Sequence, residues 1–70
     1  DNTITYDAPT QTLYVANGKD GEQVKVYAAD GTLYATATLK DRRATLPLNS
    51  NTKGIWLIHV GSQTLKINIV

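Results

Sequence analysis

The chain has 70 residues, 41% of them hydrophobic, with no cysteine, no methionine, seven basic and six acidic side chains. That length allows a single domain over residues 1–70, the apolar fraction is too high for disorder, and the missing thiols exclude disulfide staples and thiolate metal sites. A net charge near +1 gives no electrostatic footprint for nucleic acid, and there is no long apolar run of the kind that spans a bilayer as a helix.

No stretch repeats apolar residues at helical spacing, whereas alternation with period two recurs along the whole chain. Ile4 and Tyr6 alternate in a first run that stops at Asp7-Ala8-Pro9. Leu13 and Val15 mark a second, ending at Asn17-Gly18. Val24, Val26 and Ala28 mark a third, followed by Asp30-Gly31, where the glycine suits the positive φ of a two-residue hairpin turn. Leu33, Ala35, Ala37 and Leu39 form a fourth, ending in the charged Lys40-Asp41-Arg42-Arg43, read as a solvated loop. Ala44, Leu46 and Leu48 form a fifth, closed by the polar loop Asn49 to Gly54; Pro47 makes it an edge strand or marks its end. Trp56, Ile58 and Val60 mark a sixth, and Gly61-Ser62 fits a type II′ turn into a seventh with Leu65, Ile67 and Ile69.

Seven short runs with a turn signal about every ten residues predict an all-β fold, an immunoglobulin-like β-sandwich of about seven short, mostly antiparallel strands. Its expected core is Val15, Val26, Leu33, Leu46, Trp56, Ile58, Leu65, Ile67 and Ile69. Because the last run reaches Val70, the C-terminus itself is expected to be structural, whereas untied termini fray. The chain opens on Asp1 without a methionine or signal peptide, so it is expected to be a piece of a longer protein.

Catalytic chemistry finds little support in these residues. The lone histidine, His59, is out of phase with Trp56, Ile58 and Val60 and reads as a half-exposed strand residue. The carboxylates Asp1, Asp7, Asp20, Glu22, Asp30 and Asp41 fall in turns, where short acids bond their own backbone. Asn17 to Glu22 faintly resembles a calcium loop but lacks its ligand density and the spacing of its terminal bidentate glutamate, so no metal and no cofactor is expected. Tyr14, Tyr27, Tyr34 and Trp56 could line a carbohydrate or peptide surface, although Trp56 is in phase with the core set and Tyr27 with the outward set.

Four segments share a pattern. Val24-Lys25-Val26-Tyr27-Ala28-Ala29-Asp30-Gly31-Thr32-Leu33 precedes Ala44-Thr45-Leu46-Pro47-Leu48, then Gly54-Ile55-Trp56-Leu57-Ile58-His59-Val60, then Lys66-Ile67-Asn68-Ile69-Val70. In order and spacing they resemble the C-terminal sorting domains of type IX secretion in Bacteroidetes, well over residues 22–70 and loosely over 1–21, with Trp56 where the family usually has tyrosine. The resemblance implies a non-catalytic module behind an N-terminal cargo domain. Its implied partners are the outer-membrane translocon and a sortase-like peptidase that cuts upstream of the folded module. Its implied route is the periplasm in transit, then the outer membrane and cell surface, or release. Lys66, Ile67, Asn68, Ile69, Val70, Gly54 and Tyr27 are the implied recognition candidates. The competing reading is an immunoglobulin-like accessory module of a surface enzyme or adhesin that binds glycan or a partner protein.

The sixth run is apolar on both faces, with Ile55 and Leu57 out of phase with Trp56. A strand covered on one side alternates cleanly with polar residues. Ile55, Leu57 and Tyr27 are therefore expected to form a partly exposed, contiguous strip that meets the translocon, the parent domain or a second copy. Self-association through that strip or a sheet edge is the further expected contact.

Overall fold

Each alternating run becomes a strand in the structure, a computed structural model that describes residues 2–48 and 53–70. The strands are β1 (Thr3–Asp7), β2 (Thr12–Ala16), β3 (Gln23–Ala28), β4 (Leu33–Thr38), β5 (Ala44–Pro47), β6 (Gly54–Val60) and β7 (Gln63–Ile69). They form a three-stranded sheet, β1-β2-β5, and a four-stranded sheet, β4-β3-β6-β7, with every pairing antiparallel. The strand order is that of an immunoglobulin-like sandwich whose fourth strand has joined the second sheet instead of the first. The short β3–β4 hairpin holds it there. Most of the expected polar loop after β5, Asn49 to Thr52, lies outside the described residues.

Local chemistry sets the turns. Between β1 and β2, the Asp7 carboxylate accepts the Thr10 N–H at 3.2 Å and the Thr10 hydroxyl, bridging the turn from its own first residue. Gly61 has a φ of 58° and Ser62 does not share it, as a type II′ turn requires. The β3–β4 turn differs from expectation. Gly31 donates to the Ala28 carbonyl and Ala28 to the Thr32 carbonyl, both at 2.9 Å, with Gly31 at φ 89°. This is a three-residue loop with a glycine bulge, not a two-residue turn over Asp30-Gly31. Asp41 and Arg42 both take positive φ, 53° and 67°, closing the Lys40–Arg43 bridge in a tight exposed turn. That turn is tied down, since the Arg42 N–H donates to Asp20 Oδ1 at 2.7 Å and its Nε to the Gly18 carbonyl at 3.2 Å.

The core lies between the sheets. Leu13, Val15 and Leu46 face Val24, Val26, Trp56, Ile58, Val60 and Ile69, and Leu39 and Leu48 close it from the connections. Fully burying each such aliphatic side chain stabilises by about 1.5–3 kcal/mol, which is how so short a chain offsets its ordering entropy. The Cα radius of gyration is 11.1 Å, and a compact domain of this length is expected near 11 Å. Pro47 ends β5, which pairs only with β2 and is an edge, as the missing N–H requires.

Two expected core residues are not in the core. Leu33 is 50% exposed. The register shifts between Val26 and Tyr27, so that Val26 faces Ala35 but Tyr27 faces Leu33. The extra residue, Tyr34, flips the phase: Leu33 turns outward, while the Tyr34 ring meets Trp56 edge-on at 4.8 Å. Leu65 stays in phase with the core, opposite Ile58, yet is 38% exposed. It sits on β7, at the margin of the larger sheet, where three strands do not cover four. Ile67 is half-buried there for the same reason.

Candidate functional site

Antiparallel register places the outward residues of the four-stranded sheet in rows. Leu33 on β4, Tyr27 on β3, Leu57 on β6 and Lys66 on β7 form one row across all four strands. Thr36, Lys25, His59 and Thr64 form the next. Ile55 pairs with Asn68 beyond Leu57 and Lys66. Tyr27 and Leu57 are half-buried against each other, and Ile55 is 41% exposed. The expected strip of Tyr27, Leu57 and Ile55 is thus partly open and contiguous. Leu33 extends it, a residue that sequence reasoning placed in the core because the β4 bulge leaves no signal in the alternation.

The electrostatics of this face are one-sided. Lys25, Lys66 and His59 stand on it, and no carboxylate occupies an outward position on its four strands. The described carboxylates lie elsewhere: Asp7 at the end of β1, Asp20 and Glu22 before β3, Asp30 and Asp41 in turns. His59 Nδ1 lies 3.0 Å from the Thr64 hydroxyl across the strand pair, so the ring is oriented by its neighbour.

The other recognition candidates divide by phase along β7. Lys66 and Asn68 point outward and are exposed, and Val70 is 98% exposed. Ile69 is buried and Ile67 half-buried, so in the folded domain these two hold the strand down rather than greet a partner. Gly54 starts β6 at φ 110°, a conformation that excludes most side chains. Of the four candidate aromatics only Tyr34 and Trp56 meet, and they do not form a shared surface with Tyr14 and Tyr27. Tyr14 is exposed on the outer face of the other sheet, Tyr27 lies on this one, and Trp56 is internal.

The hollows are shallow and polar or small. One, of about 260 Å³, lies beside the β6–β7 turn and is lined by residues including Asn2, Asn17, Lys19, Glu22 and Gln63. The Gln63 amide grips the backbone of Asn2 there, accepting its N–H at 3.0 Å and donating to its carbonyl at 3.5 Å. The Asn17–Glu22 loop is stapled by its own groups: the Lys19 N–H donates to Glu22 Oε1 at 2.9 Å, and the Glu22 N–H to the Lys19 carbonyl at 3.1 Å. Among the described residues, no three His, Cys, Asp or Glu side chains gather as metal ligands would. A hollow of about 150 Å³ opens between Tyr6 and Gln11 and the end of β7, at Asn68, Ile69 and Val70.

The chain matches no family model, no curated protein and no solved structure.

Proposed function

We propose that this domain is a non-catalytic C-terminal sorting module, which directs an attached cargo through the type IX outer-membrane translocon and is then removed by a sortase-like peptidase, the cargo remaining at the cell surface or being released. The observation that carries this reading is the placement of the segments that resemble the family. Three of the four, Val24 to Leu33, Gly54 to Val60 and Lys66 to Val70, lie on adjacent strands of one sheet, and the fourth, Ala44 to Leu48, runs through β5 of the other. Residues far apart in sequence therefore share one surface, as a recognition face needs. An address label requires a folded, distinctive surface and no reactive group, and the row of Leu33, Tyr27, Leu57 and Lys66, exposed at its two ends and half-buried between them, is a surface of that kind.

The competing reading, an accessory module that binds glycan or a protein partner, draws on one observation. Tyr27, Leu57, Leu33 and Ile55 form an open apolar strip, and such strips rimmed by polar groups mark contact sites. The two readings part on transplantation. Fused behind a periplasmic reporter in a type IX-competent host, residues 1–70 should carry the reporter to the cell surface. A reporter that stays in the periplasm while the fused domain is folded would favour the accessory module.

A further inference from the structure

Four strands of this sandwich are sheet edges: β1, β5, β4 and β7. Edge strands invite pairing by other chains, and proteins blunt them by shortness, proline, bulges or charge. β5 has four residues and ends in Pro47. β4 carries the register shift beside Tyr27. β1 has five residues, and the backbone of Asn2 just before it is held by Gln63. β7 differs from all three. It runs seven residues, pairs with β6 without a shift along its length, and contains no proline. The two-residue turn makes Val60 and Gln63 a hydrogen-bonded pair, so alternation turns the main-chain groups of Thr64, Lys66 and Asn68 toward the open edge.

We propose that the β7 edge receives an extended segment of another protein chain, with a carboxylate opposite Lys66 and apolar residues on either side of it. The chemistry follows from the phase of β7. Lys66 is the one charged side chain on the strand, lies at its centre and sits on a face without carboxylates. Opposite charges directly across a strand pair stabilise, and like charges destabilise. On the inward side, Leu65 and Ile67 flank Lys66 and are incompletely covered, so the residues adjacent to the carboxylate meet apolar surface. A second copy of β7 fits poorly: two-fold pairing about the strand centre sets Lys66 against Lys66. The lysine thus repels the domain's own edge and selects an acidic strand. Main-chain bonding supplies the affinity and the alternating side chains the choice of partner.

The inference goes beyond the export reading and stands without it, because binding is measured on the purified chain and export in cells. The probe is a capped heptapeptide, Thr-Thr-Val-Glu-Val-Thr-Thr, titrated into the isotope-labelled protein. A second peptide has lysine in place of glutamate, and a third has N-methyl groups along one edge. The expected result is amide shifts and slowed hydrogen exchange at Thr64, Lys66 and Asn68. The glutamate peptide should bind about five-fold more tightly than the lysine peptide, as a single cross-strand charge pair would give. The N-methylated peptide should not bind. Lys66→Glu should reverse the preference; if that variant is not folded, Lys66→Ala should abolish it. Equal binding of both charged peptides would overturn the proposal, as would millimolar peptide leaving β7 unmoved. Shifts confined to Tyr27 and Leu33 would place docking on the face instead. Concentration-dependent protection of β7 without peptide would assign the edge to a second copy, and binding to phosphatidylserine vesicles with β7 amides unprotected would assign the lysine to lipid; either result overturns it.

Discussion

Replacing Trp56 by alanine removes the largest side chain of the core, and its cost can be worked from its surroundings. The ring is 8% exposed, lies between Ala28 and Ile67 on the neighbouring strands, and meets Tyr34 edge-on at an interplanar angle of 67°. Truncating a buried tryptophan costs about 3–5 kcal/mol, and the aromatic pair accounts for about 0.5–1.5 kcal/mol of such a loss. A domain of this size is stable by only about 4–10 kcal/mol. Trp56→Ala should therefore consume a third or more of the total, and Trp56→Phe distinctly less. Urea unfolding followed by far-UV circular dichroism reads this without relying on the lost fluorophore. With a slope near 1 kcal/mol per molar, expected for so small a chain, the midpoint should fall by about 3–5 M. A loss below about 1 kcal/mol would mean that the ring is not enclosed, and the register of β6 would have to be abandoned.

Gly31→Ala should destabilise by about 1–2 kcal/mol through backbone strain alone, because its φ is 89° and an added Cβ would meet open space; an unchanged thermal midpoint would refute the glycine bulge. At Gly18 the cause is different: an added Cβ would run into Leu39 and the Asn2 side chain, so Gly18→Ala should cost about 1–3 kcal/mol by overpacking. The Asp30 carboxyl is held below its ordinary value, first by the Thr32 backbone N–H and then by the Thr32 hydroxyl. A lowered folded value makes its contribution present above the unfolded value and lost as pH falls through the folded one, so the stability gap between the wild type and Asp30→Asn should shrink below about pH 4. Lys66→Ala, on an outward strand position, should leave stability within about 0.5 kcal/mol of the wild type by urea titration.

The alternation of Leu13 with Val15, of Val24 with Val26, and of Trp56 with Ile58 and Val60 was enough to read the strands and their buried faces, because period two maps directly onto the two sides of a sheet. Pro47 announced its edge for an equally local reason. What escaped was non-local. The bulge that turns Leu33 outward depends on how β4 meets β3, and the exposure of Leu65 depends on a three-stranded sheet lying over four. The left-handed Asp41-Arg42 turn carries no glycine to signal it, and it is fastened to Asp20 and Gly18 some twenty residues away. At the candidate site, Tyr27, Leu57 and Ile55 were legible as an outward set, but their continuation to Leu33, the acid-free character of the face and the openness of the β7 edge emerge only when the strands are placed side by side.

Surface delivery of a reporter tests the central claim most directly. The fusion of residues 1–70 is expressed in a type IX-competent host and in the same host lacking the translocon, and exposure of the reporter to added protease is measured in intact cells. The account predicts exposure in the first host only, and its loss when residues 65–70 are deleted. A reporter equally exposed in both hosts, or confined to the periplasm of both while the fused domain is folded, would contradict it.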